Sequence, residues 1–136
     1  MLRRSDPRRP EQAPWSDRGT HHGESAMTDE LPAGAGELAE EFPDIWDHYC
    51  DLGEACAAAG PLTPRERRLV KLAFAIGSGS EGATHSHTRR GVDDGISEES
   101  LRQVALLAVT TLGMPRAVAG LTWIEDILNP DEEDDY

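Results

Sequence analysis

The sequence predicts an all-α fold, and three observations carry that prediction. No stretch alternates apolar and polar residues with the period of two that a half-buried strand requires. From about residue 42 onward, apolar residues recur instead at helical spacing. Most recurrences open on a capping residue and all close on a glycine or proline. A chain of 136 residues, 38% hydrophobic and 29% charged, has the size and composition of one soluble domain with one core.

Residues 1–36 are read as a disordered segment preceding that domain. Its first 26 residues carry Arg3, Arg4, Arg8, Arg9 and Arg18, three prolines and almost no apolar periodicity. Such a stretch cannot bury enough surface to offset the entropy of ordering. Met27 opens a start-like Met-Thr-Asp-Glu, and Gly23-Glu24 is compatible with purine-rich codons of a bacterial ribosome-binding site. Met27 is therefore a candidate true start. Because residues 1–26 hold five arginines and four acidic residues, a chain without them is more acidic by one charge.

The domain is placed at 37–129. Ile45, Tyr49, Leu52, Gly53 and Cys56 share a helical face, and Gly60-Pro61 ends that segment. Thr63-Pro64-Arg65-Glu66 has the N-cap, first-turn proline and reciprocal glutamate of a capping box. The helix it starts, through Leu69, Val70, Leu72, Ala73, Phe74 and Ile76, is apolar on nearly every side and is predicted to be central, with Gly77 to Gly79 breaking it. Ser80 caps the next helix, Glu81 sits in its positive first turn and Gly95 closes it. Ser97 caps a helix with Leu101, Val104, Ala105, Ala108 and Leu112 at core spacing, ended by Gly113 and Pro115. Val118, Leu121, Ile124 and Leu128 form the stripe of a last helix, stopped by Asn129-Pro130. Residues 130–136 make an acidic tail. A small bundle whose central helices are apolar on several sides predicts a homo-oligomer.

Charge and cysteine content narrow the function. The formal net charge of -13 argues against nucleic acid or an anionic membrane as partner, since both recruit clustered positive charge. Cys50 and Cys56, on one helix, lie about 9 Å apart along its axis and point to different sides, so a bond between them would require unwinding. No apolar run approaches the about 20 residues of a membrane span, and no signal-peptide pattern is present. A cytoplasmic location is the expectation.

Chemistry-bearing side chains are densest from Ser80 to Gly95, where Glu81, His85, His87, Arg89 and Arg90 fall on one predicted helix. At about 100° per residue, Glu81 and His85 share a face, whereas His87 lies about 200° round from His85. The two histidines therefore cannot chelate one ion from this helix. Glu81 and His85 are candidate ligands for a divalent metal such as zinc or iron, with His48 as a possible third, against the plainer alternative of a surface pair. Otherwise no cofactor is expected. Arg89 and Arg90 are candidates for holding a carboxylate, against the plainer alternative of pairing with Asp93 and Asp94 one turn on. Trp46 and Trp123 are expected in the core or at an interface.

Three phrases together resemble the carboxymuconolactone decarboxylase family, whose superfamily includes the alkylhydroperoxidase D proteins. They are Pro-Leu-Thr-Pro-Arg-Glu-Arg-Arg-Leu-Val-Lys-Leu-Ala at 61–73, the histidine-bearing helix closing at Gly95, and Ile-Ser-Glu-Glu-Ser-Leu-Arg-Gln-Val at 96–104. Leu112-Gly113-Met114-Pro115 before an alanine-rich helix fits as well. The resemblance covers about residues 42 to 128. It implies an alkylhydroperoxidase D-like helical bundle, assembled as a homotrimer or homohexamer with sites near subunit contacts. In the peroxidase branch this helix carries Cys-x-x-Cys-x-x-x-His; here His87 matches the histidine, while Ser80 and Ala83 stand at the cysteine positions and Arg68 replaces a glutamate on the preceding helix. A serine and an alanine cannot pass through sulfenic acid and disulfide, so thiol peroxidase activity is not expected. In the decarboxylase branch the helix reads His-x-Arg-Gly-Ala-Leu-Asn-Asn-Gly, and His87-Thr88-Arg89-Arg90-Gly91-Val92-Asp93-Asp94-Gly95 keeps the histidine, an arginine two positions on and the final glycine. The resemblance thus implies lyase or isomerase chemistry on a small anionic, carboxylated metabolite. Arg89 or Arg90 would hold its carboxylate, and His87 or the Glu81–His85 pair would donate a proton. The opposing expectation is a non-catalytic oligomeric module.

Overall fold

The computed structural model describes residues 33–131, with helices α1 (Ala33–Glu41), α2 (Pro43–Ala57), α3 (Pro64–Gly77), α4 (Glu81–Asp93), α5 (Glu98–Leu107) and α6 (Met114–Leu128). No strand occurs among the described residues, and none of their helices is long and apolar enough to cross a membrane. Helix α1 already begins at Ala33, so the boundary drawn after residue 36 falls inside a helix. Residues 1–32 with the candidate start at Met27, and residues 132–136 of the acidic tail, lie outside the described residues.

Local chemistry sets the helix ends. Thr63 accepts from the Glu66 amide at 3.2 Å while the Glu66 carboxylate accepts from the Thr63 amide at 2.9 Å, so the capping box is complete. Ser80 accepts from the Ala83 amide and Ser97 from the Ser100 amide, each at 3.2 Å. Helix α4 ends in a Schellman motif. Gly95 takes φ +82°, a conformation that costs a side chain, and the Ile96 amide reaches back to the Gly91 carbonyl at 2.9 Å. That turn delivers Ile96 into the core. Helices α1 and α2 are nearly continuous, broken at Phe42 because Pro43 pushes the preceding residue out of the α region (φ -129°, ψ 65°).

Helices α3 to α6 form the bundle, with α4 packed between α3 and α6 and α5 against α6 and α3. Leu72 and Ile76 of α3, Ile96 of the turn after α4, Leu101 and Ala105 of α5, and Ile124 of α6 make the core, flanked by Leu69, Val104, Leu121 and Leu128. Helix α4 buries Thr84, Thr88 and Gly91 on one face and Ser86 on the other side. The Thr84 and Thr88 hydroxyls donate to the carbonyls of Ser80 and Thr84, so neither enters the interior unsatisfied.

Two expectations need correction. The helix from Ser97 does not run to Gly113; α5 stops at Leu107, a 3₁₀ turn spans Ala108–Thr110, and Leu112 is exposed while Leu101, Ala105 and Ala108 are buried. The tighter turn rotates Leu112 off the stripe that a continuous α-helix would give it. Helix α3, apolar on nearly every side, buries Leu72, Ala75 and Ile76 but leaves Val70 exposed and Phe74 70% exposed. One chain supplies helices to cover only one of its faces. Helix α2 buries none of its residues, and Trp46 stacks at a tilt on Tyr49, centroids 5.4 Å apart.

Candidate functional site

Helix α4 holds the histidines on opposite sides, as its 3.6-residue period requires. His85 faces α6, where its Nε2 lies 3.0 Å from Asp126 Oδ2 and 3.9 Å from Glu81 Oε1. His87 faces α3, where Arg68 Nη1 donates to its Nδ1 at 2.8 Å. Arg68 is anchored in turn, its Nε donating to Asp94 Oδ2 at 3.2 Å. Asp94 sits at the C-cap of α4, so the chain Asp94–Arg68–His87 ties the end of α4 to the middle of α3. Burial first, then the charges of Arg68, Arg90 and Lys71, pushes the His87 imidazole down from 6.5 to about 4. His87 is therefore neutral at physiological pH, in a cationic patch on an acidic chain.

The structure does not gather the predicted residues into one cluster. Glu81 is exposed and His85 half-buried on the α6 side. Arg90 is half-buried, while exposed Arg89 turns away to a cleft of about 250 Å³ that it lines with Val92, Asp93, Glu98, Ile127 and Leu128. Asp94 pairs with Arg68 of α3. A larger apolar groove of about 340 Å³ lies between α3 and α5 and does not include His87.

Donor atoms of Glu81, His85 and Asp126 lie within 4.8 Å of one another, a spacing that a divalent cation can bridge. Asp126 thus occupies the place that the sequence offered to His48, which is exposed on α2 and outside this group. The hydrogen bond from His85 to Asp126 also accounts for the arrangement as a cross-helix pair. Asp126 had a signal in the sequence: Glu125 and Asp126 occupy the last turn of α6, where the helix dipole disfavours anions unless something pairs with them. Glu125 does so with Arg102 of α5. Of the α3 contributors to the His87 environment, Arg68 was marked as the residue standing where the resembling family has a glutamate, and Lys71 carried no mark.

The thiol positions offer no redox pair. Ser80 is the N-cap of α4 and Ala83 is the residue whose amide it accepts from. Cys50 and Cys56 are free thiols on α2. Burial, reinforced by Asp47, Asp51 and Glu54 and opposed by Arg90, holds the Cys50 thiol above its ordinary range, opposite to the shift that activates a thiolate.

No individual curated protein matches the sequence. The profile of the Carboxymuconolactone decarboxylase family matches residues 43–126, from the first turn of α2 to the last turn of α6, and so takes in every residue of the His87 and His85 groups. With well over half of its length matched, the chain belongs to the carboxymuconolactone decarboxylase family.

Proposed function

We propose that this protein performs non-thiol, acid–base chemistry of the lyase or isomerase type on a small carboxylated metabolite, at a site centred on His87 of α4. The observation that carries this is the neutral, half-buried His87 imidazole among Arg68, Lys71 and Arg90. Loss of carbon dioxide from a β,γ-unsaturated lactone acid breaks one C–C bond and leaves the electron pair as a dienolate, which then takes up a proton from water. The demands are a cation for the carboxylate and a hydrogen-bond donor for the oxygen that becomes negative. Arg90 and Lys71 meet the first demand and His87 the second. Arg89 opens onto a different cleft, so it serves less well than Arg90. The apolar surface left uncovered on α2, α3 and α6 supports a site completed at contacts between copies of the chain, as a homotrimer or homohexamer.

The test is a panel of small carboxylated lactones and dicarboxylates, followed by NMR for product and by thermal shift, on wild type and His87→Ala. Turnover of at least one compound, lost by 10²-fold or more in the variant, is the expected outcome for a general acid–base or oxyanion-stabilising group. No turnover and no ligand-dependent shift in wild type would leave a non-catalytic module. Elemental analysis runs beside it, and one divalent metal per chain would move the chemistry from His87 to the Glu81–His85–Asp126 side.

A further inference from the structure

We propose that Arg68 is a positioning residue that fixes His87 as its Nε2–H tautomer, so that His87 meets its substrate as a neutral hydrogen-bond donor and not as a general base. The inference rests on the placement of His87 in the site proposed above and specifies what that imidazole is able to do.

A guanidinium has five N–H bonds and no lone pair to offer, so the 2.8 Å contact from Arg68 Nη1 requires an unprotonated Nδ1 on His87. A neutral imidazole with a bare Nδ1 carries its single proton on Nε2. Adding a second proton at Nδ1 would set an N–H against the N–H of a cation. Moving that proton from Nε2 to Nδ1, which is what a neutral ring with a basic Nε2 requires, brings the same collision. Only one neutral tautomer keeps the bond.

The guanidinium is also held at its other end. Arg68 keeps about a fifth of its side-chain surface exposed, and its Nε is held by Asp94, whose position is set by the end of α4. Among the described residues, the charged groups that bear on the ring push the same way. From α3 these are Arg68 and Lys71, and from α4 Arg90, all of them cations that oppose an imidazolium. The carboxylate in this chain of contacts, Asp94, is engaged by Arg68 Nε and not by the ring. The arrangement inverts the familiar carboxylate–histidine pair, in which an acid accepts Nδ1–H and leaves Nε2 bare as a base or ligand. An arginine in that place leaves Nε2 with a proton to share. A neutral donor of this kind suits an oxygen that gains negative charge, such as an enolate oxygen, and does not suit proton abstraction from carbon.

Long-range ¹H–¹⁵N correlation spectra of the full-length ¹⁵N-labelled protein at neutral pH test this without substrate, with His87 assigned by the signal lost in His87→Gln. The expected pattern is a protonated, pyrrole-like Nε2 and a bare, pyridine-like Nδ1. In Arg68→Met, which keeps an unbranched apolar stem, the tautomer ratio is expected to fall by about tenfold or more, the worth of one hydrogen bond from a charged donor. Arg68→Lys, which keeps a donor, is expected to recover most of it. A His87 that is Nδ1-protonated or imidazolium in wild type, or a ratio unchanged in Arg68→Met, overturns the proposal; should Arg68→Met fail to fold, the wild-type and Arg68→Lys spectra still decide it. An Nε2–H tautomer in a protein that turns over none of the carboxylate panel upholds the lock and overturns the catalytic role on which its purpose rests.

Discussion

At the scale of single residues, His87 links the site to stability. Its folded-state value of about 4 lies below the ordinary 6.5, so between these values the unfolded chain binds a proton that the folded chain refuses. Stability is therefore expected to fall as pH drops from about 6.5 to about 4 and to level off below. The displacement corresponds to about 3 kcal/mol at most, and solvent screening at a half-exposed ring reduces this to about 1–2 kcal/mol. Urea unfolding of wild type and His87→Gln at pH 7 and pH 4.5 checks it: wild type should lose that much more than the variant, whereas parallel losses would show that His87 is not held neutral. The division between the two histidines was legible in the sequence, because 100° per residue is a property of the helix alone. Their partners carried marks, Arg68 at a position where the resembling family has a glutamate and Asp126 as an anion in the last turn of α6, but the pairings themselves were not legible. Arg68 is 19 residues from His87 and Asp126 is 41 from His85, and such pairings depend on how α3 and α6 are set against α4, which no local pattern encodes.

At the scale of elements, the helix that reads as least apolar is the one packed between two others. Small residues Thr84, Thr88 and Gly91 are buried on α4, where Gly91 lies against Leu101 of α5 and Arg68 of α3, and α3 and α6 meet where Gly120 lies under Ile76. A methyl group at Gly120 would stand 2.7 Å from Ile76 Cγ2, with Cγ1 and Cδ1 within 3.2 Å. Ile76 is β-branched and 1% exposed, so it has no free rotamer to retreat to. Overpacking of about 1–3 kcal/mol should exceed the about 1 kcal/mol that alanine gains over glycine in a helix. Gly120→Ala is accordingly expected to lower unfolding free energy by about 1–2 kcal/mol. At Gly91 the close atom is only the tip of Leu101, at 2.8 Å, and Gly91→Ala should come out near neutral. Equal effects of the two substitutions in urea titrations would contradict this account of the crossings. Caps and stops at Thr63, Ser80, Gly95 and Ser97 could be read directly because each is settled within a few residues. The break of α5 at Leu107 could not, since Ala108 to Leu112 continues the apolar spacing and only the packing of the 3₁₀ turn against α6 interrupts it.

At the scale of the whole molecule, the covered core is small against the apolar surface left outside. Ile45, Tyr49 and Leu52 on α2, Val70 and Phe74 on α3, Leu106 and Leu107 on α5, and Met114 and Val118 on α6 are all exposed. The groove of about 340 Å³ between α3 and α5 is walled mainly by apolar side chains such as Leu69, Val70, Val104 and Leu112. An apolar groove flanked by further exposed apolar side chains is the kind of surface that marks a protein–protein contact. Burying a side chain the size of Phe74 is worth about 1.5–3 kcal/mol, and an assembly repeats that gain at every symmetric contact. A net charge of -13 works in the opposite direction, because identical acidic chains repel at a range that salt shortens. Two trends should therefore appear together in sedimentation velocity. Wild type should run well above the 14.8 kDa of one chain, with the larger species gaining as sodium chloride rises from low to physiological concentration. Phe74→Asp, which puts a charge on the most exposed aromatic of α3, should shift the distribution toward single chains while leaving helical content unchanged, since Phe74 makes no part of the buried core. A wild type that sediments as single chains at every salt concentration would mean that the apolar faces of α2 and α3 are covered in some other way, and that the His87 site has to be complete within one chain.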